Sequence, residues 1–181
     1  MRVAITGGIA EGKSTVLSMV SELGYPTASA DVIAREVFED PEVQAALGEA
    51  ANLPPPIDRG LLRARIAESP DLRRAVNAIT HPRIVQRMDA SPAVFFEIPL
   101  VIETCRYLDF DEIWVVTCGP EEQRRRLVER IGDPVQVERL IAAQIDTRAK
   151  LAFADRVFRT NLSLETVRQL VSEATASISF S

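Results

Sequence analysis

The stretch Gly7-Gly8-Ile9-Ala10-Glu11-Gly12-Lys13-Ser14-Thr15 matches the pattern G-x-x-x-x-G-K-[ST] at each of its fixed positions. The apolar run before it, Val3-Ala4-Ile5, predicts a short buried strand. The apolar residues after it recur at helical spacing, and they are Val16, Leu17, Val20 and Leu23. A strand on one side and a helix on the other is the context in which this pattern forms a phosphate-binding loop.

The residue types of this loop are those that a polyphosphate requires. Glycine lets backbone N–H groups turn inward, through positive φ angles or a close approach of the backbone. Lys13 would bring an ammonium to the β- and γ-phosphates, and the Ser14 hydroxyl is placed to bind Mg²⁺. Lys13 and Lys150 are the only lysines, against nineteen arginines, so a composition that avoids lysine keeps one here.

The composition is that of one globular domain covering residues 1–181. Hydrophobic residues make up 46% of the chain and charged residues 26%, and the net charge is −5. This acidic charge argues against general affinity for nucleic acid, and no apolar run reaches the ~20 residues that cross a bilayer. Cys105 and Cys118 lie in segments that we expect to be buried, so we predict two reduced core thiols in a cytoplasmic protein.

Four further segments predict strands, and they are residues 27–30, 94–99, 113–117 and 156–159. Two of them, 94–99 and 113–117, are nearly continuous apolar runs, as strands covered on both faces are. Helical patterns separate the strands along the chain. We therefore predict a three-layer α/β structure, a P-loop NTPase or kinase fold with about five parallel strands.

Residues 41–92 differ in character, because they carry no strand signal. Pro54-Pro55-Pro56 predicts a stiff spacer. Three helices are expected after it, beginning at Asp58, after Ser69-Pro70-Asp71 and near Pro82. We predict a helical, substrate-binding insert on the ligand side of the sheet.

Residues 119–146 predict two helices around a Gly132-Asp133-Pro134 turn. The first helix carries Arg124, Arg125, Arg126 and Arg130. Arginines near such a hinge suit a lid that closes over a transferring phosphate. The alternative is a solvated face, whose exposed ion pairs contribute only about 0–1 kcal/mol each.

Two carboxylates follow strands at the edge where the phosphate loop is expected. Asp31 follows the second strand and could accept a proton from an acceptor hydroxyl, or it could be an ordinary helix cap with Arg35 as its i,i+4 partner. Glu97 ends the next strand, where an acid could position Mg²⁺ through water, although Asp is the usual residue there. His81 is the only histidine, and a lone histidine at a helix start is more often structural than catalytic.

Together these segments resemble the dephospho-CoA kinase family. The segments that carry the resemblance stand in the family's order from residue 1 to about 161, and they are Thr6-Gly7-Gly8-Ile9, Gly12-Lys13-Ser14-Thr15, Ser29-Ala30-Asp31-Val32-Ile33-Ala34-Arg35, His81-Pro82, Glu97-Ile98-Pro99-Leu100-Val101-Ile102-Glu103, Arg126 with Arg130, Ala142-Ala143-Gln144 and Lys150-Leu151-Ala152-Phe153-Ala154-Asp155.

The resemblance implies a cytoplasmic enzyme that uses Mg²⁺ and ATP to phosphorylate the ribose 3′-hydroxyl of dephospho-CoA, the last step of coenzyme A biosynthesis. In that picture residues 8–15 and Arg130 bind ATP, Ser14 and (through water) Glu97 hold the metal, and residues 41–92 bind the CoA moiety. The residues expected to act in catalysis are Lys13, Arg130 and the proposed base Asp31. The residues expected to contact the acceptor are Thr6, Asp31, Arg35, His81, Pro99 and Leu100. We expect a monomer or weak homo-oligomer without nucleic-acid or membrane partners.

The chain departs from the family's pattern at four places, and one of them is the insert, which is short around residues 48–58. Ser29 stands where the first acid of the Asp-Ala-Asp segment is usual, so Asp31 would act without that neighbour. Ala10-Glu11 replaces the small Gly-Ser of the loop, and we expect the Glu11 side chain to point outward. Arg130-Ile131 replaces the usual Arg-Asp of the lid. These changes could weaken substrate affinity or alter nucleotide preference.

Other functions are compatible with a phosphate loop. Another small-molecule or nucleotide kinase would keep Lys13, Ser14 and Asp31 but act on a different acceptor. A regulatory ATP-binding protein would keep the loop without turnover. A GTPase that reads guanine through N-K-x-D is excluded, because neither lysine stands in that context.

Overall fold

A computed structural model describes residues 1–178 of the chain. The backbone divides into two compact units: the first comprises Met1–Ser29 and the chain from Pro92 onward, and the second comprises Ala30–Ser91. The helices, in chain order, are α1 Lys13–Glu22, α2 Ala30–Glu39, α3 Pro41–Ala51, α4 Arg59–Glu68, α5 Pro70–Ala90, α6 Pro120–Ile131, α7 Pro134–Ala142, α8 Thr147–Lys150 and α9 Leu164–Ala176.

The first unit is built on one parallel sheet. Its strands are β1 Val3–Gly7, β2 Thr27–Ser29, β3 Phe95–Glu97, β4 Glu112–Thr117 and β5 Arg156–Arg159. They pair in the order β2-β3-β1-β4-β5, with Ser29 and Ile5 both opposite Glu97. Because every pair is parallel, the carboxyl ends of the strands meet at one edge of the sheet. The five parallel strands predicted from the sequence are confirmed.

The apolar side chains of one sheet face pack against α1 and α9. Trp114 is the centre of this core, with the Phe95 ring 5.1 Å and the Phe158 ring 4.8 Å from it between centroids. The core residues are Val3, Ile5, Val16, Met19, Val20, Phe95, Trp114, Val116, Phe158, Val167, Val171, Ala174 and Ile178. Each large apolar side chain buried in this way stabilises the fold by about 1.5–3 kcal/mol, so β1 and α1 are firmly held on either side of the loop that joins them.

The second unit contains α2 to α5, with α5 packed against α2, α3 and α4. Arg87 of α5 forms ion pairs with Glu36 at 3.9 Å and Asp40 at 3.1 Å. The helix α2 packs against α3 and α5 and therefore belongs to this unit. The predicted insert, 41–92, did not include α2.

Two helix predictions in this unit were wrong. The helix α3 was missed, because helices were expected only after Pro54-Pro55-Pro56, whereas Pro41 occupies the first turn of α3, after the capping Asp40. No new helix begins at Pro82, since this residue lies inside α5, which is 21 residues long. Val76 and Met88 are buried before and after the proline, and this packing compensates for the backbone donor that the proline lacks.

One of the two predicted core thiols is not in the core. Cys118 is buried, and burial raises the pKa of its thiol to about 11. Cys105 is exposed, because it sits in a turn between Val101 and a short 3₁₀ segment, with a left-handed φ of 56°. Within residues 1–178, none of the helices combines the length and the apolar character that a bilayer-spanning segment needs.

Candidate phosphoryl-transfer site

The loop between β1 and α1 (residues 7–15, the phosphate loop) needs glycine at both of its ends. A Cβ on Gly7 would lie 2.2 Å from the Val116 carbonyl oxygen, because the loop leaves β1 directly against β4. Gly12 has a φ of +95°, a left-handed conformation that is strained for other residues, and it caps α1. The prediction that these glycines serve close approach and positive φ is confirmed.

The first turn of α1 keeps its backbone donors free of any side-chain cap. Gly12 offers no capping side chain, whereas Asp40, Asp58 and Ser69 each accept a backbone N–H at the start of their own helices. Free N–H groups and the positive end of the helix dipole favour an anion at this position. In combination with the motif, this end of α1 is suited to hold phosphate oxygens.

Lys13 is folded over the phosphate loop. Its side chain is only 8% exposed, and its Nζ donates to the Gly8 carbonyl oxygen at 2.8 Å. The ammonium is therefore held above the loop backbone, where a phosphate bound by the loop would meet it.

Ser14 and Glu97 lie next to each other at the carboxyl edge of the sheet. The Ser14 Oγ donates to Glu97 Oε1 at 2.9 Å, and Glu97 is 9% exposed at the end of β3. A hydroxyl and a carboxylate are the hard oxygen ligands that Mg²⁺ prefers. Residues 1–178 contain no group of three or more acidic, histidine or cysteine side chains able to hold a metal by themselves. The role of this pair in holding Mg²⁺ stays a prediction.

The expectation that Glu11 points outward is wrong. Its side chain is 1% exposed and its carboxylate accepts three hydrogen bonds inside the fold. The donors are the Gly8 N–H at 2.5 Å, the Thr147 hydroxyl at 2.6 Å and the Thr117 hydroxyl at 2.8 Å. The expectation considered only repulsion from phosphate, whereas these converging donors stabilise a buried carboxylate.

The predicted lid region touches the phosphate loop through amide side chains. The Gln123 Nε2 of α6 donates to the Ile9 carbonyl oxygen at 3.0 Å. The Ile9 N–H donates to Gln144 Oε1 at 2.9 Å, just beyond α7. Both the backbone N–H and the backbone carbonyl oxygen of Ile9 are therefore held by side chains from residues 119–146.

Among the lid arginines, Arg126 contacts the loop and Arg130 does not. Arg126 donates to the Thr160 carbonyl oxygen at 2.7 Å and to the Ala10 carbonyl oxygen at 3.5 Å. Glu122 orients it at 2.8 Å, and the neighbouring guanidiniums of Arg125 and Arg126 lower the pKa of the Glu122 carboxyl to about 2. Glu122 is thus ionised at neutral pH and keeps Arg126 in place.

Arg130 is exposed one turn further along α6. Within residues 1–178 its side chain makes no hydrogen bond or ion pair. Its guanidinium therefore stays available to a ligand.

The segment after β3 is held by hydrogen bonds from Thr6 of β1 and from Lys150. Its Pro99 carbonyl oxygen accepts from the Thr6 hydroxyl at 3.2 Å and from Lys150 Nζ at 2.9 Å. Lys150 is fully buried and pairs with Glu103 at 2.7 Å. Thr6 and Pro99, both predicted acceptor contacts, are thus brought together, and the next residue, Leu100, is 43% exposed.

The family model for dephospho-CoA kinase matches residues 1–166 of the chain. A protein of Leifsonia xyli named dephospho-CoA kinase is 36% identical, and the match covers 93% of this chain and 94% of that protein. The chain belongs to the dephospho-CoA kinase family. The resemblance inferred from the sequence is therefore confirmed, and the chain is a kinase.

Solved structures show that this member of the dephospho-CoA kinase family has a P-loop kinase fold. The crystal structure of TT1252 from Thermus thermophilus is 27% identical, with a TM-score of 0.86, over 99% of this chain and 98% of that one. Dephospho-CoA kinase from Campylobacter jejuni is 23% identical, with a TM-score of 0.63 and the same coverage, and this likeness concerns the fold alone.

The remaining predicted site residues of this dephospho-CoA kinase family member lie in the second unit. Asp31 and Arg35 are on α2 and His81 is on α5, and all three are exposed. Within residues 1–178 their side chains have no hydrogen-bond or ion-pair partner, so the suggested i,i+4 pair of Asp31 with Arg35 does not form. Their part in catalysis and in acceptor binding stays a prediction.

Sequence reasoning missed a set of polar residues that hold the phosphate loop and the segment after β3. They are Thr117, Gln123, Gln144, Thr147, Lys150 and Thr160. Two of them carried a signal, because Gln144 ends the Ala-Ala-Gln segment and Lys150 is one of only two lysines. The threonines carried none, since their partners lie more than a hundred residues away in the chain.

Proposed function

We propose that this chain transfers the γ-phosphoryl group of ATP to the ribose 3′-hydroxyl of dephospho-CoA and releases coenzyme A and ADP. The observation that carries the proposal is the match of nearly the whole chain to one kinase family. The cluster of Lys13, Ser14 and Glu97 at the end of β1 and β3 supports the same chemistry.

The nucleotide side of the reaction belongs to the phosphate loop. Backbone donors of residues 8–15 surround the β- and γ-phosphates, and Lys13 neutralises charge that grows on the transferring group. Ser14 and, through water, Glu97 hold Mg²⁺. This ion, when bound, would supply positive charge that stabilises the negative phosphate oxygens.

Arg130 is the lid arginine that we assign to ATP. Arg126 is committed to Glu122 and Thr160, whereas Arg130 is exposed and has no partner within residues 1–178. A guanidinium that closes over the γ-phosphate spreads its charge in the transition state. Residues 119–146 therefore act as the lid.

We assign the acceptor side of the reaction to a separate set of residues. Asp31 takes the proton of the ribose 3′-hydroxyl while the oxygen of that hydroxyl bonds to the γ-phosphorus. The bond from the γ-phosphorus to the β–γ bridging oxygen breaks, and ADP leaves. The residues that contact dephospho-CoA are Arg35, His81, Thr6, Pro99 and Leu100. The side chains of Arg35 and His81 suit the phosphates of this substrate. Residues 41–92 form the CoA-binding insert.

We also propose that the protein acts in the cytoplasm as a monomer or weak homo-oligomer, on small molecules alone. The acidic net charge of −5 supports the absence of a nucleic-acid partner. Light scattering behind a sizing column tests the oligomeric state, with a mass near 20 kDa expected.

The acceptor is tested by ADP release in parallel reactions with dephospho-CoA, nucleoside monophosphates and pantetheine phosphates. Turnover with dephospho-CoA and background rates with the others are expected. Turnover with another acceptor and none with dephospho-CoA would assign a different small-molecule or nucleotide kinase activity. ATP binding without turnover on any of them would assign a regulatory role.

A further inference from the structure

The Glu11 carboxylate is the centre of a buried hydrogen-bond cluster inside the phosphate loop. It accepts from the Gly8 N–H, from Thr147 at the start of α8 and from Thr117 at the end of β4. Thr117 and Thr147 belong to segments far from the loop in sequence. The carboxylate therefore connects the loop to a strand and to a helix that the motif itself does not include.

Gly8 is held on two sides by charged groups. Its N–H donates to Glu11 Oε2 at 2.5 Å, and its carbonyl oxygen accepts from Lys13 Nζ at 2.8 Å. A movement of Gly8 would move the acceptor on which the ammonium of Lys13 rests. The position of that ammonium thus depends on what holds Gly8.

The space around Gly8 shows how tightly this cluster is built. A Cβ on Gly8 would lie 2.6 Å from Gln123 Nε2, 2.8 Å from Glu11 Oε2 and 2.9 Å from Thr147 Oγ1. No side chain fits there without displacing these groups. Gly8 therefore leaves the room that these three side chains occupy, in addition to any ligand contact.

A carboxylate suits this cluster better than the serine that is usual in the family pattern. An ionised carboxyl group only accepts, and its two oxygens can accept several hydrogen bonds at once. A serine hydroxyl is shorter and cannot reach three donors that converge from different elements. Because the Gly8 N–H is buried with the cluster, loss of its acceptor leaves an unpaired donor.

We propose that Glu11 is a positioning residue, whose buried carboxylate fixes Gly8 and thereby the ammonium of Lys13 over bound ATP. The inference rests on the proposed nucleotide-binding role of the loop but not on the identity of the acceptor. It assigns to Glu11 a supporting role, since its carboxylate is engaged by the Gly8 N–H and by the hydroxyls of Thr117 and Thr147.

A double-mutant cycle on ATP affinity tests this role. The dissociation constant of ATP is measured by calorimetry for the wild type, Glu11→Ala, Lys13→Ala and the double variant, with thermal unfolding as a check of folding. We expect Glu11→Ala to weaken ATP binding roughly tenfold when Lys13 is present and less than about twofold when it is absent. Glu11→Gln, which keeps an acceptor oxygen for Gly8, should restore affinity to within about threefold of the wild type.

The exposed Glu165 of α9 provides the matched control, because Glu165→Gln removes a carboxylate charge away from the cluster. If Glu11→Ala and Glu11→Gln both tighten ATP binding, the carboxylate acts only through repulsion and the proposal is overturned. If Glu11→Ala weakens ATP binding equally with and without Lys13, the proposal is also overturned, since that result would indicate a general structural effect. A wild type that binds no ATP refutes the proposed function instead.

If Glu11→Ala does not fold, the two hydroxyl donors carry the test. The variant with Thr117→Val and Thr147→Val should weaken ATP binding in the presence of Lys13 and not in its absence. Changing both residues to Ser, which keeps the hydroxyls, should restore the affinity. Wild-type affinity of the double valine variant would contradict the proposal.

Discussion

The phosphate loop and the helical second unit present their site residues in opposite ways. In the loop, Glu11, Lys13 and Ser14 are each tied to a protein partner by a hydrogen bond of 2.5 to 2.9 Å. In the second unit, Asp31 and His81 are exposed, and within residues 1–178 no partner holds their side chains. The same chain therefore contains a preorganised group of residues and a group without internal support.

This difference indicates how the two substrates are handled. The loop residues are positioned before ATP arrives, which lowers the cost of organising charge around the phosphates. Asp31, Arg35 and His81, which we propose act on the acceptor, have side chains without such support within residues 1–178, so part of the binding free energy of the acceptor would be spent on ordering them. Loop variants should therefore affect ATP affinity, whereas second-unit variants should affect the acceptor and the proton transfer.

The largest effect is expected for Asp31→Asn, which removes the proposed base and keeps its shape. We expect kcat to fall roughly a thousandfold, the scale of general base catalysis, while the dissociation constant of ATP changes less than about twofold. Steady-state kinetics and calorimetry measure the two quantities. Glu68→Gln, an exposed carboxylate of the same unit, is the control and should leave both unchanged. A normal kcat in Asp31→Asn would remove Asp31 from the mechanism.

The next largest effect is expected for Arg130→Ala in the lid. The loss of a guanidinium over the transferring phosphate should lower kcat roughly a hundredfold. Arg124→Ala is the control on the same helix, because Arg124 forms a solvent-exposed pair with Glu138 that contributes little to stability. Similar rates for the two variants would show that α6 presents a solvated face and not a lid.

A smaller effect is expected for Glu97→Gln, which keeps the hydrogen bond to Ser14 but removes the charge behind the metal site. The Mg²⁺ concentration for half-maximal activity should rise roughly tenfold, the lower end of the effect of outer-shell changes on metal affinity. A magnesium titration of the rate at saturating ATP measures it. An unchanged Mg²⁺ requirement would contradict the role of Glu97 at the metal.

The smallest effect is expected on stability, when an alanine is replaced by glycine in the phosphate loop and, separately, in the second unit. Ala10 of the loop has a φ of 61°, which strains a residue with a Cβ, so Ala10→Gly should raise stability by about 0.5–1 kcal/mol. Ala64→Gly, at an exposed position in the interior of helix α4, should lower it by about 1 kcal/mol. Thermal unfolding should show shifts of opposite sign, each of about 2–4 °C or less. Shifts of the same sign would contradict the strain assigned to the loop.

The parts of the fold that follow local patterns could be predicted from the sequence. The loop, the five strands and the pairing of Ser14 with Glu97 at one sheet edge follow from a motif, from apolar runs and from parallel topology. The helix that runs through Pro82 could not be predicted, because packing of Val76 and Met88 overrides the local penalty of proline.

The orientation of Glu11 could not be predicted for a different reason. Its hydroxyl donors are 106 and 136 residues away in the chain, so only the folded structure brings them to the carboxylate. The exposure of Cys105 was missed in the same way, since an apolar neighbourhood in sequence does not fix which side of a turn faces solvent.

The central claim is that the two groups of residues act together on one phosphoryl transfer, and product analysis tests it most directly. Dephospho-CoA, ATP and Mg²⁺ are incubated with the protein, and the products are quantified by chromatography and phosphorus NMR. The account predicts one ADP for each coenzyme A formed, with the new phosphate on the ribose 3′-oxygen. ADP release without coenzyme A, or a new phosphate at any other position, would contradict it.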